Sequence, residues 1–165
     1  MLDTNILGAL SPYIIAFGLA YIVSEGAKIV RIIVKNKELR WQEFFKSGGM
    51  PSSHSANVMA LATTIGLING FDSAVFGLAI GFAAIVMYDA MHVRRAVGEQ
   101  GQVIRKLIER DANLENDIRE LLGKKVVRKI KTPYYSRGHK PEEVLVGCLI
   151  GILVGVMVSM VWANF

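Results

Sequence analysis

All three histidines of this 165-residue chain stand among other polar residues. His54 closes the run Pro51-Ser52-Ser53-His54. His92 lies between Asp89 and the pair Arg94-Arg95. His139 precedes Glu143 by about one helical turn. A fourth cluster, Glu25 with Lys28 and Arg31, has no histidine. Two or more cations, two imidazoles and serine hydroxyls suit a phosphoryl group. Ammonium and guanidinium groups neutralise its non-bridging oxygens. Helix N-termini expected after Pro51 and Pro141 add backbone N–H donors. One imidazole can attack phosphorus while another protonates the leaving oxygen, and a carboxylate can hold the attacking ring in the right tautomer. Each cluster also has a plainer reading. His54 could cap its helix, His139 could be an interfacial residue, and Asp89 with Arg94 or Arg95 could be a structural ion pair. Lys28 and Arg31 could be charge anchors, and His92 reads as a bystander.

The elements that must position these groups belong in a membrane. The chain is 52% hydrophobic and 20% charged, and the charges are segregated. The basic residues fall between Lys28 and Lys46 and between Arg94 and Lys140, and the apolar stretches hold none. A soluble domain spreads its charges along every amphipathic element. Apolar stretches run from about Ile6 to Val23, Ala56 to Ile68, Ala74 to Tyr88 and Val144 to Ala163. Crossing a bilayer core takes about 20 helical residues; the middle two are short and read as a hairpin turning at Asn69-Gly70-Phe71-Asp72-Ser73. Ser11-Pro12 marks a kink or a start in the first helix. Glu25 to Lys46, with Trp41, Phe44 and Phe45, reads as an interfacial segment. The serines after Gly48-Gly49 read as N-caps. Gly66, Gly77, Gly81, Ala79, Ala83 and Ala84 would allow close helix packing in lipid.

Residues 97–122 differ. Ile104, Leu107, Ile108, Leu114, Ile118, Leu121 and Leu122 form an apolar stripe at helical spacing, so a single amphipathic helix ending at Gly123 is expected there. It would pack on its own protein, on the lipid surface or on a second copy of the chain. The basic run Lys124 to Lys131 suits anionic headgroups. The resulting fold class is all-α: an integral membrane bundle of about four spanning helices with a cytoplasmic amphipathic helix. It forms one domain over residues 1–165, with 97–140 inserted before the last span. Both basic stretches follow odd-numbered crossings, so the positive-inside rule puts them, and the four polar clusters, at the cytoplasmic face. The net charge of +5 is explained by that rule, and no nucleic-acid-binding motif is present. Cys148 is the only cysteine, so it forms no internal disulfide, and no zinc-like spacing occurs.

Gly48-Gly49-Met50-Pro51-Ser52-Ser53-His54-Ser55-Ala56 resembles the second motif of the type-2 phosphatidic acid phosphatases, usually Pro-Ser-Gly-His. Gly138-His139-Lys140-Pro141-Glu142-Glu143-Val144, with Gly147 and Gly151, is similar to the end of their third motif. Met87-Tyr88-Asp89-Ala90, Val93-Arg94-Arg95, Gly98 and Gln100 resemble a divergent branch, the small bacterial and plant membrane proteins related to acid phosphatases and vanadium haloperoxidases. The likeness runs from about Tyr21 to Gly155. It implies that His139 is a nucleophile forming a phosphohistidine, that Glu143 replaces the usual Asp that orients it, and that His54 is the acid for the leaving alcohol. Lys28, Ser53 and Arg94 or Arg95 would bind the phosphate, with Asp89, Arg31, Ser52 and Arg137 in support. That mechanism needs no metal and no cofactor. The sequence departs from the family pattern in three places. Lys35-Asn36 stands where the first motif has Arg-Pro, Ser53 replaces the middle glycine of the second, and Ser136-Arg137 lies one residue, not five, ahead of His139.

The expectation is therefore a bacterial plasma-membrane phosphatase acting on a lipid phosphate or prenyl (pyro)phosphate. The competing expectation is a non-catalytic membrane protein that binds anionic lipid or phosphate, or scaffolds a partner. Expected partners are membrane lipids, a lipid phosphate substrate and a second copy through the 97–122 helix. A transporter is disfavoured because no ionisable residue stands in mid-helix.

Overall fold

A computed structural model describes residues 11–36, 49–131 and 138–164, and every regular element among them is helical. Helix α1 (Pro12–Asn36) starts where proline costs nothing, in a first turn whose N–H groups have no intrahelical partner. The Ser11 carbonyl accepts the N–H groups of Ile14 and Ile15. The segment read as interfacial from Glu25 continues the same helix through Asn36, and the first apolar span, expected to end at Val23, runs to Val34. Glu25 and Lys28 neutralise one another across one turn at 2.6 Å, and Ile29, Val30, Ile32, Ile33 and Val34 keep the rest of the surface apolar. The remainder of that expected segment, with Trp41, Phe44 and Phe45, lies outside the described residues.

Helix α2 (Ser53–Asn69) is capped by Ser52, whose hydroxyl accepts the N–H of Ser55. It ends at Gly70, whose φ of 92° favours a residue without a Cβ. The expected turn follows, and Ser73 caps α3 (Ala74–Tyr88) by accepting from Phe76 N–H. α3 does not stop at the boundary expected before residue 97. It passes through a wider π-helical turn, Asp89–Val93, into α4 (Arg94–Arg110) without a break. Nor is 97–122 one helix. Asp111 adopts an extended backbone and its carboxylate accepts from Asn113 and Leu114 N–H, which starts a new helix, α5 (Ala112–Leu122). Gly123 ends α5 as expected, and the basic run forms α6 (Lys124–Lys131). In this charged arm Ile108 and Val127 are buried, while Ile104, Leu107, Leu121 and Leu122 are exposed. The last helix is α7 (Pro141–Trp162).

Among the described residues, three segments are long and apolar enough to cross a membrane: Pro12–Val34, Ala74–Arg110 and Pro141–Trp162. Large side chains such as Leu78, Phe82 and Ile85 on α3 and Leu149, Leu153 and Met157 on α7 face outward. That is the surface of a lipid-solvated bundle, since a soluble domain rarely leaves so wide an apolar area open. α2, at 17 residues, rises about 26 Å and sits among α1, α3 and α7, packing on all three. The molecule is an all-α membrane bundle with about four spanning helices.

Two packings set the geometry of the site. α2 and α7 run parallel in near backbone contact. A Cβ on Gly147 would lie 2.4 Å from the Ser52 carbonyl oxygen, one on Gly151 2.3 Å from that of Ala56, and one on Gly155 2.8 Å from that of Ala60. Glycines every fourth residue make one flat stripe. This stripe does what had been expected of Gly77 and Gly81, which face open space; Ala79 and Ala83 are buried as expected. α1 runs antiparallel to α2, tied at one end by Lys28 to Ser53 and at the other by Tyr13 to Asn69. Ala16 and Ala20 of α1 pack with Ala56, Ala60, Val154 and Val158. The C-terminal half of α1, the start of α2, the end of α3 and the start of α7 therefore meet at one face.

Candidate active site

His139 is buried at that face. Two backbone features hold it. Gly138 abuts α4 so closely that a Cβ would lie 2.3 Å from the Arg95 nitrogen, and His139 N–H donates to the Ala90 carbonyl at 2.9 Å. Ala90 belongs to the π-helical turn, in which Arg94 N–H reaches back to Asp89 O. The wider turn presents a helix carbonyl to a partner outside the helix, a use typical of π-bulges at functional sites.

The ring is fixed as well. His139 Nδ1 lies 2.9 Å from Glu143 Oε2, which also accepts Lys140 N–H at 3.3 Å. A carboxylate only accepts, so the ring nitrogen facing it, Nδ1, carries a proton, and in the neutral form of the ring Nε2 holds the lone pair. The Glu143 carbonyl accepts Ser52 N–H at 2.9 Å, tying the start of α7 to the cap of α2.

That tie brings His54 opposite His139. The ring centroids are 6.4 Å apart and the planes tilt by 58°. The two rings therefore border one common space at this face. His54 lies in the first turn of α2, ahead of the apolar stretch that begins at Ala56, and one edge of its ring is open. Partial desolvation lowers its pKa below the usual 6.5, and the charges of Arg94, His139 and Lys28 lower it further; Glu25 acts in the opposite sense.

Lys28 donates to Ser53 Oγ at 3.1 Å and to Glu25 Oε1 at 2.6 Å. Ser52 and Ser53 are buried, with Ser52 occupied in capping. Arg31 reaches the Met50 carbonyl at 3.5 Å, so it touches the loop before α2. Of the two candidate arginines, Arg94 pairs with Asp89 at 2.6 Å and is near enough to affect His54. Arg95 turns to Glu99 at 3.0 Å. His92 stacks on Tyr88 with centroids 4.3 Å apart, and its Nδ1 faces the Tyr88 carbonyl. Arg137 lies outside the described residues. Among those described, no group of three or more His, Cys, Asp or Glu converges as a metal site.

Glu25, grouped with Lys28 in the sequence, is its ion-pair partner in the structure. Two further neighbours of the site are not candidates in the sequence. Asn57, three residues after His54 in an apolar run, was visible as an unusual polar residue. The Ala90 carbonyl gave no signal, because nothing in Asp89-Ala90-Met91-His92-Val93 marks a π-helical turn.

The family model described as "Divergent PAP2 family" matches residues 11–154. The "Uncharacterized membrane protein YuiD" of Bacillus subtilis (strain 168) is 39% identical over 133 residues, covering 79% of this chain and 82% of that protein. No solved structure matches significantly. From residue 11 to residue 154, past every cluster just described, the chain belongs to the divergent PAP2 family of membrane proteins.

Proposed function

We propose that this protein is a membrane phosphatase hydrolysing a lipid phosphate through a phosphohistidine intermediate. The observation that carries the reading is the pair of imidazoles 6.4 Å apart, one of them held by a carboxylate at Nδ1. Nε2 of His139 attacks phosphorus as the bond from phosphorus to the leaving alkoxide breaks. His54 gives its proton to that oxygen, and the alcohol departs. Water then attacks the phosphohistidine and passes a proton to His54, releasing inorganic phosphate and restoring His139. Lys28, Ser53 and Arg94 hold the non-bridging oxygens, and Arg95 has a lesser part because Glu99 occupies it. Asp89 and Arg31 position their neighbours. The imidazole of His54 must be charged to act as the acid, and the phosphate dianion opposes the cations that depress its pKa.

The positive-inside rule supports a cytoplasmic position for this face, which favours a substrate made on the inner leaflet. Phosphate release from a panel of lipid phosphates by purified protein in detergent tests the reading. Release should be lost in His54→Ala and in His139→Ala, with circular dichroism and elution volume unchanged. Release that survives both substitutions would contradict it.

A further inference from the structure

Asn57 is 8% exposed, and its Oδ1 accepts no hydrogen bond among the described residues. An orphaned acceptor in a membrane bundle is costly, so a group that completes it is expected. Its place suggests which. Asn57 follows His54 by three residues and Ser53 by four, which sets all three on one edge of α2. Side chains on a helix lean toward its N-terminus, which from Asn57 is the direction of Ser53 and His54. One turn of helix, about 5.4 Å, separates it from them on the membrane side. The register of α1 agrees. With Lys28 opposite Ser53 and Tyr13 opposite Asn69, the residue facing Asn57 is the fully buried Ser24, whose hydroxyl donates to its own helix at Tyr21 O.

We infer that Asn57 is the floor of the site and selects a phosphate monoester that bears a free hydroxyl on the carbon next to the phosphorylated one. The inference rests on the phosphatase reading for the placement of phosphate between His54 and His139. The leaving oxygen lies on the His54 side, so the substrate carbons attached to it descend past Asn57. A hydroxyl one carbon farther on comes within a turn of helix of the phosphate and donates to Oδ1. A glycerol phosphate with its middle hydroxyl free has this chemistry, and a prenyl phosphate does not. A buried acceptor left unpaired discriminates strongly against a ligand lacking the donor. Asn57 is thus a specificity-determining residue, distinct from the groups that touch phosphorus.

The test compares 1-acyl-glycerol 3-phosphate, whose middle hydroxyl is free, with its 2-deoxy counterpart. Affinities are measured by thermal shift on the full chain carrying His139→Ala, so that neither ligand is consumed. The hydroxyl ligand should bind about tenfold more tightly, equivalent to one hydrogen bond to a buried group. Adding Asn57→Leu should bring both ligands to one affinity without lowering the unliganded melting temperature. Asn57→Ala, which adds no bulk, should level them likewise. Equal affinities in the Asn57 chain, including binding of neither ligand, would overturn the inference. So would a preference that persists without Asn57, or a large loss of stability in both Asn57 variants. Failure of the phosphatase reading would appear separately, as wild-type protein that releases no phosphate while the affinity ratio still stands.

Discussion

The two sides of the site are built differently. On the α2–α7 side, backbone meets backbone. Glycines 147, 151 and 155 let the helices touch, the main-chain bond from Ser52 to Glu143 locks the loop ends, and one further main-chain bond, from His139 to Ala90, reaches across to the π-helical turn. On the side of α1 and the π-helical turn, charged side chains meet. Lys28 is held by Glu25 and Ser53, and Arg94 by Asp89. Close-packed backbone cannot adjust by much, whereas a partly exposed ion pair exchanges partners at small cost. His139 is therefore fixed in place whatever the site binds. In the proposed phosphatase the cations are stored on carboxylates and can turn to a phosphate that competes for them.

The sharpest way to break this contrast is Gly151→Val. A branched side chain has nowhere to go against the Ala56 carbonyl, and overpacking alone costs about 1–3 kcal/mol or more. Loss of the assembled bundle, seen by size exclusion and thermal melting, is expected, whereas Gly77→Val on the open face of α3 should melt as wild type does. Glu143→Gln should leave the bundle intact and lower kcat by about 10²–10⁴-fold, because a neutral amide no longer fixes the tautomer or stabilises the imidazolium. Lys28→Met removes one charged hydrogen bond and should lower kcat/KM by about ten- to a hundredfold, well beyond the effect of Arg95→Ala. The smallest effect is a shift in pH. Lys28 and Arg94 depress the His54 pKa, so removing either cation should raise it. The His54 resonance in an NMR titration of the unliganded protein should then titrate at higher pH in Lys28→Met. Glu25→Gln should move it the other way.

Much of this was legible in the chain, for reasons that differ by residue. Ser52 as a cap, Gly70 as a turn and Gly123 as a stop are local effects, and sequence carries local effects well. Charge segregation revealed the membrane because lipid excludes Lys and Arg. The face-to-face placement of His54 and His139 was not legible from spacing. It arises from the parallel packing of α2 on α7, which depends on a glycine stripe that could equally have faced lipid. The continuation of α1 past Glu25 was hidden because an i,i+3 ion pair looks polar in sequence while behaving as nearly neutral in the helix. Asp111 split the amphipathic helix because a short carboxylate side chain competes for backbone N–H groups, a preference the apolar stripe masked.

The central claim is that His139 is a nucleophile rather than a ligand for bound phosphate. The most direct test is a rapid acid-free quench of purified protein turning over a ³²P-labelled lipid phosphate, followed by mass spectrometry of the peptide containing His139. The account expects an acid-labile, alkali-stable phosphoryl group on His139 that is absent from His139→Ala. Wild-type protein that releases phosphate from the same substrate with His139 never modified, at any quench time, would contradict it.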